Sequence, residues 1–245
     1  MGRMRVLIIH AHHEPSSFNG AMLRTAISAL SETGHQVRVS DLYQMGFDPV
    51  SDRRNFIGAR DSDRLDQQAE ERFAAEHGLF AADIKAEMEK LAWCDVAIFQ
   101  FPLWWLGMPA VMKGWIDRVF AVGVAYGGGR WFDRGLLAGK RAMLAVTTGG
   151  EAAAYSELGL YGPAQAILHP MNHGVLGFVG FEVIEPFVVY GPGRMEPGQR
   201  REALQRYRQR LVNLENAPLL PQTRSDDYRN FVRRPEGRPD PSCDN

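Results

Sequence analysis

The run Val96-Ala-Ile-Phe-Gln-Phe-Pro-Leu-Trp-Trp-Leu-Gly-Met-Pro-Ala-Val-Met-Lys-Gly-Trp-Ile-Asp-Arg-Val-Phe120 constrains the fold more than any other stretch of the chain. Val96 to Phe101 is a short apolar run of the kind a strand buried on both faces gives. Pro102 ends it, because proline donates no ladder hydrogen bond and restrains its predecessor. From Pro109, a residue suited to a first helical turn, the period changes. Val111, Met112, Trp115, Ile116, Val119 and Phe120 fall on one helical stripe. Between strand and helix stand Leu103, Trp104, Trp105, Leu106 and Gly107. One tryptophan near a turn is ordinarily core. Two in succession cannot both enter one core, and loops run over the surface. The pair therefore favours a platform for a planar ligand, at the strand end where open α/β sheets bind ligands.

The rest of the chain repeats the strand-then-helix order. Arg5 to His10 reads as a first buried strand, and Ala21 to Leu30 as a helix closed by a left-handed Gly34. Gln36 to Leu42 reads as a second strand, giving a β–α–β opening with a right-handed crossover. Ser51 to Asp83 is dense in Arg, Asp and Glu and longer than a normal connection, so it reads as a helical or irregular surface excursion. Ile84 to Trp93 is a helix and Arg141 to Thr147 a strand. Gly162 to Val175 is a helix that Pro170 should bend or end. Glu182 to Val189 is a strand whose Pro186 requires an edge or a bulge. Glu196 to Asn216 is a charged helix with Leu204, Tyr207, Leu211 and Leu214 on one side. The expected fold is α/β, a flavodoxin-like doubly wound sheet of about five parallel strands with helices on both faces. Residues 1–216 form one flavin-binding domain and 217–245 a proline-rich tail, disordered over Pro235 to Asn245.

The totals exclude several classes. A formal net charge of −1 leaves no nucleic-acid footprint and no polybasic membrane surface. No segment approaches the roughly 20 apolar residues of a membrane span. Cys94 and Cys243 fit no disulfide or metal spacing, which points to a reducing cytoplasm. His10, His12 and His13 lack the acidic or thiol neighbours that would complete a metal set, so no metal is expected.

Three loops should meet at the C-terminal edge of the sheet. His12-His-Glu-Pro-Ser-Ser-Phe-Asn19 opens the first helix, whose free N–H groups suit phosphate. Ser17 and Asn19 serve there equally well as ordinary N-caps. The second loop is Leu103 to Gly107. The third, Thr147-Thr-Gly-Gly150, is a weak motif alone, but its glycines admit a ligand to the backbone. A diphosphate end, a flat apolar wall and a polar backbone edge together describe a flavin dinucleotide. NAD as the resident group is disfavoured, because the first turn has no G-x-G-x-x-G.

With these residues assembled, the chain resembles the flavodoxin-fold NAD(P)H:quinone oxidoreductases, the DT-diaphorase family, from Met4 to about Phe231. The resemblance rests on Ala11-His-x-Glu-x-x-Ser-Phe-Asn19, Gln100-Phe-Pro-Leu-x-Trp-x-Gly-x-Pro-Ala110 with Lys113-Gly-Trp115, Thr147-Thr-Gly-Gly150 with Tyr155-Ser156, and Gly180-Phe181. It implies FAD, NADH or NADPH as co-substrate, ping-pong two-electron reduction of quinones, and a homodimer with active sites at the interface. By that resemblance His12, Ser17, Phe18 and Asn19 hold the FAD diphosphate region, and Leu103, Trp104, Trp105 and Leu106 flank the ring. Thr147, Thr148, Gly149, Gly150 and Tyr155 bond its polar edge. Trp105, Tyr126, Gly150 and Phe178 line the substrate pocket, Phe178 from the partner subunit, while Gln67 or Gln68 lies toward the adenine and Phe231 near the dimer's tail. Tyr155 and Tyr161 are the catalytic pair, with Tyr161 standing where mammalian members place a histidine. Leu106 departs from a common phenylalanine, and Gly127-Gly-Gly129 is more flexible than the family pattern. A flavin-binding, redox-sensing ancillary subunit of a membrane transporter is the competing reading. An electron carrier of flavodoxin type fits less well, since such carriers are shorter and more acidic.

Overall fold

The computed structural model describes residues 2–234. Five parallel strands form the central sheet in the order β2-β1-β3-β4-β5. They are β1 (Arg5–His10), β2 (Gln36–Asp41), β3 (Val96–Pro102), β4 (Arg141–Thr148) and β5 (Glu182–Tyr190). All seven residues of β3 are buried, as its nearly continuous apolar run, interrupted only by Gln100, requires. The expected strands thus form within a residue or so of the sequence reading. Pro186 is accommodated in both of the ways expected: β5 is an edge strand, and its register against β4 shifts between Met143 and Ala145.

Helices cover both faces. On one lie α1 (Phe18–Glu32) and α6 (Pro197–Val212), which bury Met22, Leu30, Tyr207 and Leu211 against Ile8 and Ile98. On the other lie α3 (Ala82–Trp93), α4 (Ala110–Val119) and α5 (Ala164–Met171). Trp115 of α4 is fully buried there, edge-on to Phe99 and Phe120 with ring centres 5.8 and 5.7 Å apart. Its indole Nε1 donates to Glu87 Oε2 at 2.8 Å, so the polar end of the ring is satisfied. Pro109 stands just before α4 as its cap residue rather than within its first turn.

Two expectations need correction. The stretch 51–83 holds a 3₁₀ turn, Arg53–Asn55, and α2 (Gln67–His77), but its charges are not all solvated. Glu70 is buried and accepts the N–H groups of Arg60 and Asp61 at 2.7 and 2.8 Å; Glu71 is buried and accepts Val122 N–H at 2.8 Å. Buried Arg118 donates to Asn55 Oδ1 and Asp48 O, both at 2.8 Å. Polar anchors with long-range partners hold the segment where apolar ones are scarce. Next, the helix expected over 162–175 starts at Ala164, carries Pro170 inside it and continues as a π-helix, Asn172–Gly177. Proline removes one i→i−4 bond, and here the chain widens its winding instead of stopping. The described part of the tail pairs with the sheet and with itself. Glu185 N–H donates to Pro218 O and Leu220 N–H to Val183 O, each at 2.8 Å, and β6 (Tyr228–Arg229) pairs with β7 (Val232–Arg233). The disorder expected over 235–245 falls outside the described residues. Among those described, no helix is long and apolar enough to cross a membrane.

Candidate active site

The three loops do meet. Ala11 N–H donates to Gln100 O at 3.0 Å, and Leu103 N–H to Thr147 O at 2.8 Å. Asn19 Nδ2 donates to Thr147 Oγ1 at 2.8 Å, joining the first turn of α1 to the end of β4. The parallel sheet brings these strand ends to one edge, as the β–α order dictates.

In the first loop Ser17 is the N-cap, its Oγ accepting Gly20 N–H at 3.1 Å, while Phe18 and Asn19 begin the helix itself. Gly20 is needed because a Cβ there would lie 2.0 Å from Pro15 O. His12 Nδ1 accepts Glu14 N–H at 3.0 Å, which leaves the proton on Nε2 and that nitrogen as a donor. Burial, then the neighbouring His13, lowers the His12 pKa, so the ring is neutral near pH 7. Asn19 is 4% exposed, and its Oδ1 is buried without a hydrogen-bond partner.

Behind this loop lies a buried chain of polar groups. Tyr207 hydroxyl donates to Gln100 Oε1 at 3.3 Å, and Gln100 Nε2 donates to Asn19 O at 2.7 Å and to His10 Nδ1 at 3.1 Å. Desolvation, with His12 adding, lowers the His10 pKa to about 4 despite nearby Asp41, which keeps its nitrogen an acceptor. Sequence reasoning assigned Gln100 no role. The signal was present, since a single amide in an otherwise apolar buried strand must find partners.

The second loop is a tight two-residue turn. Trp104 and Gly107 exchange N–H···O bonds of 3.1 and 3.0 Å, and the central residues Trp105 and Leu106 both have positive φ, 53° and 56°. Hairpin turns with positive φ at both centres usually take Asn-Gly. Here a tryptophan and a leucine occupy them, at a cost of about 1–3 kcal/mol each. The strain holds the Trp105 side chain fully exposed. Trp104 turns the other way, against His12 and His13, with ring centres 6.2 and 5.7 Å apart.

In the third loop Thr147 and Thr148 are buried, and Thr148 Oγ1 donates to Gly150 O at 2.7 Å. A Cβ on Gly149 would meet open space, whereas one on Gly150 would stand 3.2 Å from the Tyr155 ring. Tyr155 is buried and Tyr161 half-exposed, their ring centres 5.1 Å apart. Tyr190, at the end of β5, packs on Tyr155 at 5.7 Å. The catalytic pair expected from the sequence is therefore one aromatic cluster beside Gly150.

Tyr126 and Phe178 form a second cluster, 5.7 Å from each other, with Phe132 edge-on to Phe178 at 5.8 Å. Burial, with Glu71 adding, raises the Tyr126 pKa, while Gln68 opposes the shift. Phe231, exposed and at φ 63°, packs tilted against Trp131 with ring centres 5.3 Å apart. Trp131 and Phe132 escaped the sequence reading because they sit in a glycine-rich connection without periodicity.

Comparison with known proteins follows the same lines. Residues 4–211 match the family model of the flavodoxin-like fold. A ribosyldihydronicotinamide dehydrogenase-like protein of Penicillium crustosum is 43% identical over 232 residues, covering 91% of this chain and 86% of that protein. The NAD(P)H dehydrogenase [quinone] 1 of Cavia porcellus is 43% identical over 217 residues, covering 88% and 79%. A Klebsiella pneumoniae structure described as a quinone reductase superposes with a TM-score of 0.92 at 41% identity, covering 98% of each chain. An NAD(P)H:quinone oxidoreductase from Methanothermobacter marburgensis does so with a TM-score of 0.69 at 28% identity, covering 87% and 98%. With the family model matched over residues 4–211 and relatives at 43% identity across most of its length, the chain belongs to the flavodoxin-fold NAD(P)H:quinone oxidoreductase family.

Proposed function

We propose that this chain reduces quinones and similar flat acceptors with NAD(P)H through bound FAD, by ping-pong two-electron transfer. The joined edge of the three loops carries the reading. Neutral His12 offers an Nε2–H, α1 offers free N–H groups, and the unpartnered Asn19 Oδ1 awaits a donor. The open side of Gly149 leaves the Thr147-Thr-Gly-Gly150 backbone accessible to a ring edge. These features fit a flavin dinucleotide. When bound, the flavin supplies a ring that accepts hydride from a nicotinamide and passes it to an acceptor.

The chain's own residues orient and shield. Trp105 and Leu106 present an apolar wall on a rigid, strained turn. Tyr155, packed between Tyr161 and Tyr190, directs a hydrogen-bond donor at the polar edge of the ring, and Tyr161 offers a second. Ser17, Phe18 and Leu103 complete the cofactor's surroundings. Tyr126 and Phe178 line the acceptor pocket, Phe178 from a partner subunit, so the working unit is a homodimer. The exposed Trp105, Leu158 and Leu160 support an apolar covering surface. Cys94 is a free thiol whose burial pushes its pKa up to about 11, which suits the reducing cytoplasm we assign. The transporter-subunit reading finds no counterpart among the relatives above.

Steady-state turnover with a simple benzoquinone at varied NADH and NADPH tests the reading. Parallel double-reciprocal lines are expected, and absent turnover contradicts it. The name of the Penicillium relative supports a second donor, ribosyldihydronicotinamide. A higher kcat/KM with that compound than with NADH and NADPH would reassign the donor while leaving the acceptor chemistry intact.

A further inference from the structure

A cavity of about 890 Å³ lies on the β5 flank, and three irregularities of the backbone create it. The Pro186 bulge displaces β5 from strict register with β4. Tail residues 218–220 pair with β5 only up to Glu185, so Phe187 and Val188 face the space beyond. Opposite them α5 passes into the π-helix Asn172–Gly177, a rare winding that is frequent at functional sites. The volume is that of a small-molecule site. Its floor is apolar, formed by Leu168, Phe181 and Val183.

Asn172 stands at the junction of the α- and π-helical turns and lines this cavity. Its side chain is 6% exposed, yet Oδ1 is buried with no hydrogen-bond partner. Buried amide oxygens are nearly always satisfied, so an unpaired one on a cavity wall marks a place for an external donor. The charged residues on the wall, Arg210 and Glu185, engage each other: Arg210 donates to Glu185 O at 2.8 Å and its guanidinium lies 3.6 Å from the carboxylate. His169 and His173 stack at 4.9 Å, and Thr223 Oγ1 lies 3.4 Å from His173 Nδ1. Arg210 and Glu185 thus leave neither a lone guanidinium nor a lone carboxylate on this wall.

We infer that the cavity is a second small-molecule site, separate from the three-loop edge, for a neutral flat apolar compound whose N–H or O–H donates to Asn172 Oδ1. The inference does not depend on the reading of the active site. Tyr190 belongs to both regions, its ring packing on Tyr155 and lining the cavity, so the experiment must separate the two sites.

Indole and 1-methylindole serve as probes, since they differ by the single N–H. Calorimetric titration of the full-length purified protein is expected to give indole a Kd of about 1 mM or tighter. 1-Methylindole is expected to bind roughly fivefold or more weakly, as loss of one hydrogen bond predicts. Asn172→Leu should bring indole down to the 1-methylindole value. Ala164→Phe, at the half-exposed rim, should block both probes and keeps the test alive if the Asn172 variant does not fold. Trp105→Ala should leave indole affinity within about twofold, because it alters only the three-loop edge. Equal affinities of the two probes for the wild type overturn the inference. So does the absence of binding, or binding lost in Trp105→Ala but kept in Ala164→Phe.

Discussion

Asn19 Nδ2 reaches Thr147 Oγ1 across 2.8 Å, and this bond makes the start of α1 and the end of β4 one surface. Thr147→Val keeps the shape of the side chain and removes the acceptor. The Asn19 carboxamide, already unpartnered at Oδ1, then loses its fixed orientation. One buried hydrogen bond carries about 1–3 kcal/mol when its partner is left unsatisfied, so flavin affinity should fall roughly tenfold or more. Fluorescence titration of the apoprotein with FAD measures it, and unchanged affinity would detach Thr147 from cofactor binding.

The left-handed turn at Trp105 and Leu106 should trade stability for acceptor binding. Replacing the pair with Asn-Gly suits the backbone and relieves about 1–3 kcal/mol of strain per residue. Thermal unfolding should shift upward while the KM for benzoquinone rises and flavin stays bound. A variant less stable than the wild type would show that packing, rather than backbone strain, dominates at this turn.

His10 sets an acid limit. Its pKa is lowered from an ordinary 6.5 to about 4 by burial, so the unfolded chain binds a proton in that window and the folded chain does not. Unfolding free energy therefore rises with pH across the window, and the contribution, ~3 kcal/mol at most, is present above pH 6.5 and lost as pH falls toward 4. Urea unfolding of His10→Gln at pH 4.5 and 7 should show a smaller difference between the two pH values than the wild type shows. Equal differences would remove His10 from the account.

Tyr155 and Tyr161 should divide the proposed donor role unequally. Tyr155 is buried between two rings and Tyr161 is half-exposed, so the former is the better oriented. Loss of one oriented donor costs on the order of 10²-fold in rate. Stopped-flow reduction by NADH should slow by about that factor in Tyr155→Phe and less in Tyr161→Phe. A phenol does not become a cation where an imidazole would, so the wild-type rate should vary little across the range where histidine titrates. A larger loss from Tyr161→Phe would exchange the two roles.

Strand positions were legible because each buried strand is a short apolar run with a proline, glycine or charge at its ends. Pro186 announced both the edge and the bulge, since a missing donor leaves few alternatives. The three loops could be placed together from the β–α order alone. What escaped were features whose partners lie far along the chain. Glu70 and Glu71 read as part of a charged surface excursion until their backbone partners are in view, and the burial of Arg118 shows only once Asn55 and Asp48 stand beside it. The positive φ of Trp105 and Leu106 carried no signal, because the usual glycine or asparagine is absent. The Tyr207–Gln100–Asn19 chain joins residues from three elements, and only the amide in β3 hinted at it.

Identification of the bound flavin tests the central claim most directly. The purified protein is denatured, the released yellow cofactor is separated by chromatography, and its amount is compared with the protein concentration. The account predicts FAD at about one per chain, held by the diphosphate-binding first loop. Release of FMN, or of no flavin from protein purified with flavin in excess, would contradict it.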